Sequence, residues 1–211
     1  MAHTESRLKH FPVPFFAVTM GLFGLALALH GAADVWPLVG AVSKIVMWVG
    51  IGTFVVLALL YLAKAFMYRA AVQAEWNHPV RLAFFPAISI SLLLMSSALL
   101  QHYPDAANGV WVIGAALQGM LTIAVVSGWI SHRSFEVGQL TPAWFIPAVG
   151  NVIAPIAGAQ LGYVELSWLF FSAGLIFWVV LLTLVFNRLI FHNPIPAKLY
   201  PTLVILIAPP A

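Results

Sequence analysis

The chain has 211 residues, 63% of them hydrophobic and only 7% charged, with a mean hydropathy of +1.01. Soluble domains carry roughly a quarter of their residues as charges, so this composition excludes a water-soluble globule and points to a bilayer. The net charge of +3 and pI near 9.5 do not indicate a nucleic-acid partner, given where the nine Lys and Arg residues fall, and the absence of cysteine excludes disulfides and thiolate sites.

The first ten residues include Glu5, Arg7, Lys9 and His10 and lack the small-residue cleavage pattern that follows a short apolar core. No removable leader is expected, and the first apolar segment is expected to stay in the mature protein. A spanning helix needs about 20 largely apolar residues, each rising 1.5 Å, to cross a hydrocarbon layer roughly 30 Å thick. Six segments qualify, at residues 12–30, 41–66, 82–100, 109–130, 142–162 and 166–191. A seventh opens at Pro201 and is still apolar at Ala211.

Basic residues set the expected orientation, because Lys and Arg are retained on the cytoplasmic side. Arg7 and Lys9 precede the first segment; Lys64, Arg69 and Arg81 flank the second loop; Arg133 lies in the fourth, and Arg188 and Lys198 border the sixth. The first, third and fifth loops carry only Asp34, Asp105 and Glu165, and Lys44 alone falls near an outer end. This asymmetry predicts a cytoplasmic amino terminus.

A proline at a basic or polar boundary opens an apolar segment at Pro12, Pro79, Pro142 and Pro201, roughly 60 residues apart. Each interval holds two crossings, giving a single transmembrane domain of hairpin repeats at 12–66, 82–130, 142–191 and, incompletely, 201–211. Repeats with an even number of crossings share one orientation and are related by an axis along the membrane normal. The expected fold is therefore all-α, a polytopic bundle of helical hairpins around a central axis.

The two helices of a repeat differ in kind. Odd segments carry Pro14, Thr19 and Gly21, then Pro86, Ser89 and Ser91, then Pro147, Gly150, Asn151 and Pro155, whereas even ones are bulkier, as at Leu175 to Leu182. Interrupted backbone and polar side chains persist in hydrocarbon where protein or water satisfies them, so odd helices are expected inside and even ones outside. Close helix packing is the competing explanation for the small residues. At axis spacings of about 10 Å, three inner helices leave a clear radius of about 1 Å and five about 3.5 Å. About five repeats are thus needed for a usable pore, and the chain reads as the amino-terminal part of a longer protein.

Candidate residues of a central path follow from this arrangement. Weak polar contacts and a modest positive field at its mouth hold a permeant without trapping it. Pro14, Pro86, Pro147 and Pro155 are read as inner-helix kinks, and Phe16, Phe85, Ser89, Phe145 and Asn151 as pore-lining candidates. Asn151 either bonds a carbonyl freed by a proline or faces the path. Arg69, Arg81 and Arg133 are candidates for positive charge at the cytoplasmic mouth, with plain topological retention as the alternative. No Asp or Glu lies inside a span, which favours passive conduction over proton coupling. No nucleotide-binding glycine loop, His-Glu-x-x-His pattern or nucleophile elbow occurs, so no catalytic residue, cofactor or metal is expected.

Three stretches, His78-Pro-Val-Arg-Leu-Ala-Phe-Phe-Pro, Thr141-Pro-Ala-Trp-Phe-Ile-Pro-Ala-Val-Gly-Asn and Tyr200-Pro-Thr-Leu-Val-Ile, resemble the TehA family of tellurite-resistance and dicarboxylate transporters, related to plant slow anion channels. The resemblance covers the whole chain. It implies ten helices in five hairpins, a homotrimer with one pore per subunit in the bacterial inner membrane, passage of small anions or malate-like dicarboxylates, and a phenylalanine gate in a ninth helix beyond Ala211. A proton-coupled dicarboxylate transporter is the nearest alternative function. A non-transporting scaffold or intramembrane enzyme is the other.

Overall fold

The computed structural model describes residues 7–131 and 137–207, and these are helical throughout, joined by short turns. Seven α-helices follow in order: α1 Phe16–Ala32, α2 Leu38–Met67, α3 Arg69–Trp76, α4 Ala87–Leu100, α5 Pro104–Ser131, α6 Phe145–Gly158 and α7 Val164–Phe191. Single 3-10 turns at Val13–Phe15, Leu82–Phe84 and Pro142–Trp144 precede α1, α4 and α6. With those turns included, five helical segments are long and apolar enough to cross a membrane: Val13–Ala32, Leu38–Met67, Leu82–Leu100, Pro104–Ser131 and Val164–Phe191. The sixth, Pro142–Gly158, is shorter.

The boundaries have local causes. Pro104 opens α5, five residues earlier than hydropathy alone suggests, because a proline in a first turn gives up no hydrogen bond and Asp105 complements the positive helix end. Glu165 does the same for α7. Gly162 adopts φ 90°, a conformation open to glycine, and turns the chain from α6 into α7. The segment opening near Pro201 is a 3-10 helix, Ala197–Ile207.

Three of the four expected kinks are helix starts instead. Pro14 lies in the 3-10 turn before α1, Pro86 is the N-cap of α4, and Pro147 is the third residue of α6. First-turn N–H groups have no intrahelical acceptor, so proline is accommodated there without bending the helix. Pro155 lies in the helix interior and removes the N–H that would have bonded the Asn151 carbonyl.

Each hairpin closes on itself, α1 against α2, α4 against α5 and α6 against α7, and α4 packs in addition against both α1 and α6. The inner segments thus stand in a row, α1–α4–α6, with α5 set behind the α4–α6 seam. The third span is 78% buried within the protein, whereas the second and last are 17% and 22% buried. Bulky aliphatics on α2 and α7, such as Ile45, Leu59, Leu169 and Ile176, are exposed, as lipid-facing helices require. The first span is only 28% buried because it stands at the end of the row.

Candidate functional site: a polar seam and a charged end

The inner helices are joined by weak polar groups. Between α1 and α4, the Thr19 and Ser91 hydroxyls lie 2.7 Å apart, and Thr19 donates to the Phe16 carbonyl of its own helix. Between α4, α5 and α6 a larger set converges on Gln118. The Ser89 hydroxyl lies 2.6 Å from Gln118 Oε1, with the Pro86 carbonyl at 2.9 Å as its alternative acceptor. Gln118 Nε2 donates to Thr122 Oγ1 and to the Pro147 carbonyl, both at 3.0 Å. Asn151 Nδ2 donates to the same Pro147 carbonyl at 3.0 Å and approaches Thr122 Oγ1 at 3.3 Å. Further along, Ser96 donates to the Ala107 carbonyl and Trp111 Nε1 to Ala154.

Small residues allow this approach. A methyl group on Gly150 would overlap the Gln118 amide, and one on Gly158 would overlap the Trp111 indole. Glycine at these two positions lets α5 lie close enough to α6 for the bonds to form.

All five pore-lining candidates are enclosed by protein: Phe16, Ser89 and Phe145 are at most 1% exposed, Asn151 2% and Phe85 7%. Ser89 and Asn151 are brought into one network with Gln118. Asn151 Nδ2 bonds the Pro147 carbonyl, one turn earlier in its own helix; that carbonyl stands opposite the Asn151 N–H and is not one that a proline frees, since Pro155 frees the carbonyl of Asn151 itself. Phe16 stacks edge-on against Phe54 and Tyr61, and Phe85 against Tyr61 and Trp76. Phe145 belongs to the same apolar core.

Sequence reasoning missed Gln118 and Thr122, because it assigned the fourth span to lipid as a whole. A carboxamide amid apolar residues was the available signal, since an amide facing hydrocarbon is costly unless bonded. It also missed α3 and what α3 buries. Lys64 is not a loop residue: it lies in the last turns of α2 and is 1% exposed. Its ammonium donates to Glu75 Oε2 at 2.9 Å and to the Phe11 carbonyl at 2.7 Å, and Tyr61 donates to the same Glu75 oxygen at 2.9 Å. Glu75, on α3, is 3% exposed.

Of the three mouth arginines, Arg81 stands 3.9 Å from Glu75 with its side chain half exposed. Arg69 is exposed at the start of α3 and borders a cavity of about 290 Å³ with Trp76 and Phe85. Arg133 lies outside the described residues. At the opposite end, the His30 and His102 rings meet edge-on at 6.2 Å, and Lys44 reaches over the Tyr103 ring at 6.0 Å. Among the described residues no group of three His, Cys, Asp or Glu side chains could hold a metal ion.

Comparison with known proteins follows the same lines. Residues 10–211 match the family model described as SLAC1, voltage-dependent anion channel. A tellurite resistance protein TehA homologue of Haemophilus influenzae is 32% identical over 84% of this chain and 55% of its own length. An uncharacterised transporter of Methanocaldococcus jannaschii is 26% identical over 97% of this chain and 64% of its own. The S-type anion channel SLAH2 of Arabidopsis thaliana is 25% identical over 97% of this chain and 41% of its own. The chain thus spans less than two thirds of the length of each of these relatives.

Proposed function

The chain belongs to the SLAC1 voltage-dependent anion channel family, and from that premise we propose that it builds part of a membrane anion channel or transporter. The path runs along the inner segments α1, α4 and α6. The observation that carries this reading is the contrast between a third span buried in protein and rich in hydroxyls and flanking spans faced with exposed aliphatics. Hydroxyl and amide groups offer an anion several weak donors and no fixed charge at membrane depth, which suits passage over retention. Ser89 and Asn151, with Phe16, Phe85 and Phe145 beside them, are the residues past which an anion moves when the seam loosens. Arg69, Arg81 and Arg133 raise the local anion concentration at the cytoplasmic end.

Small inorganic anions or four-carbon dicarboxylates are the proposed permeants, and a homotrimer in a bacterial inner membrane with a cytoplasmic amino terminus the proposed setting. The names of the TehA homologue and of the plant channels support the anion class.

A proton-coupled transporter is the second reading, and Glu75 is the observation in its favour, a buried carboxylate on α3 packed against the end of the second span. Its pairing with Lys64 argues against it, because a coupling group must bind and release a proton in each cycle, and the buried ammonium facing a neutral carboxyl is left uncompensated. Reconstitution in planar bilayers separates the two. Currents whose reversal potential follows the anion gradient and ignores an imposed pH gradient support the channel; a reversal potential that moves with pH overturns it.

A further inference from the structure

A cavity of about 280 Å³ lies at the amino-terminal end of the bundle, on the side of α3 that carries Glu75, and its wall is unlike that of any apolar groove between lipid-facing helices. Lys9, His10, Pro12, Lys64, Glu75 and Arg81 line it. These residues come from the amino-terminal turn, the end of α2, the helix α3 and the approach to α4.

The bonding within the wall is uneven. Glu75 Oε2 accepts from both Tyr61 and Lys64 at 2.9 Å, whereas among the described residues Oε1 has the Arg81 guanidinium at 3.9 Å, beyond hydrogen-bond range. Arg81 therefore faces the cavity with its planar donor fork uncommitted to Glu75, and Lys64 spends two of its three N–H groups on Phe11 and Glu75. Lys64 and Arg81 against one carboxylate leave an excess of positive charge around a space large enough for a polyatomic anion, and Lys9 lines the same space. A guanidinium fork matches two oxygens of one oxyanion, and Lys64 is held rigidly enough by burial to act as a second anchor.

We infer that this cavity is a binding site for a phosphate-type oxyanion, held by Arg81 and backed by Lys64, with Glu75 as the internal carboxylate that limits its affinity. The site stands apart from the conduction reading, since it requires no passage of the ligand. A free phosphate and a phospholipid headgroup present the same oxyanion chemistry to it.

The test is a titration of inorganic phosphate into the purified chain, reconstituted in nanodiscs of zwitterionic lipid and again in nanodiscs containing phosphatidylglycerol. Saturable binding in the first set is expected, weakened at least tenfold by Arg81→Gln and tightened several-fold by Glu75→Gln. Binding that persists in the second set identifies free phosphate as the occupant. Binding blocked there, with native mass spectrometry showing more retained phosphatidylglycerol on wild type than on Arg81→Gln, identifies the headgroup. Arg81 is half exposed and its substitution is expected to leave folding intact, so that arm stands even where Glu75→Gln unfolds. No saturable phosphate binding in zwitterionic discs, together with equal phosphatidylglycerol retention by wild type and Arg81→Gln, overturns the inference whether or not the chain conducts.

Discussion

Gln118 ties three helices at one point, and its worth can be bounded. In a bilayer the competing state also finds partners, so interhelical side-chain bonds are worth about 0.6 kcal/mol on average and about 1.7 at most. Gln118→Leu breaks contacts to Ser89, Thr122 and the Pro147 carbonyl, although Asn151 continues to satisfy that carbonyl. A loss of about 1–2 kcal/mol is expected, read as a lower midpoint of unfolding in detergent. Gly158→Ala is expected to cost about 1–3 kcal/mol despite alanine's better helix propensity, because the added methyl collides with the Trp111 ring and Ser167. Trp111→Ala in the same chain is expected to relieve the Gly158→Ala collision while carrying its own cavity cost. Strict additivity of the two substitutions counts against direct contact.

At the level of elements, α3 is the part that composition describes least well. It has eight residues, too few to be stable alone, and it is held by its Glu75 bonded to Lys64 and Tyr61 of α2 and by its Trp76 against Phe85. Removing one partner of a buried ion pair leaves the other charge uncompensated, which costs about 3–5 kcal/mol, whereas replacing both with apolar residues is close to neutral. Glu75→Ala is therefore expected to destabilise the chain strongly, and Lys64→Met with Glu75→Leu to recover most of the loss. Amide hydrogen exchange over Arg69–Trp76 reports the same event locally: fast exchange in Glu75→Ala and slow exchange in the double variant. Equal exchange in all three proteins rules out the pair as the anchor of α3. Pro155 is the other element-scale feature, since it alone of the four prolines interrupts an established helix.

For the molecule as a whole, the proposed topology has a direct test that the absence of cysteine makes clean. Val35→Cys sits in the exposed α1–α2 turn, and Asn77→Cys just after α3. In sealed right-side-out vesicles an impermeant maleimide is expected to label the first and not the second. The reverse pattern inverts the bundle, and labelling of both from one side removes the second crossing. Parallel repeats also account for the row α1–α4–α6: hairpins inserted the same way place equivalent helices side by side, so the inner segments of successive repeats meet without a long crossover.

Hydropathy and the spaced prolines were enough to place six apolar helices in three hairpins, because bilayer thickness and backbone satisfaction leave a chain of this composition few other folds, while the family was legible only in the resemblance of three proline-led stretches. The amide at Asn151 was visible in the sequence, yet its neighbour across the seam, Thr122, was not, since which face of the fourth span meets α6 depends on glycines at 150 and 158 that lie in another helix. Lys64 read as a basic residue bordering a loop, and Glu75 carried no signal of its own. Only the fold of α3 back onto α2 decided that they are a buried pair, because desolvating a charge is tolerated where an opposite charge arrives with it, and that arrival is set by tertiary contact rather than by any local pattern.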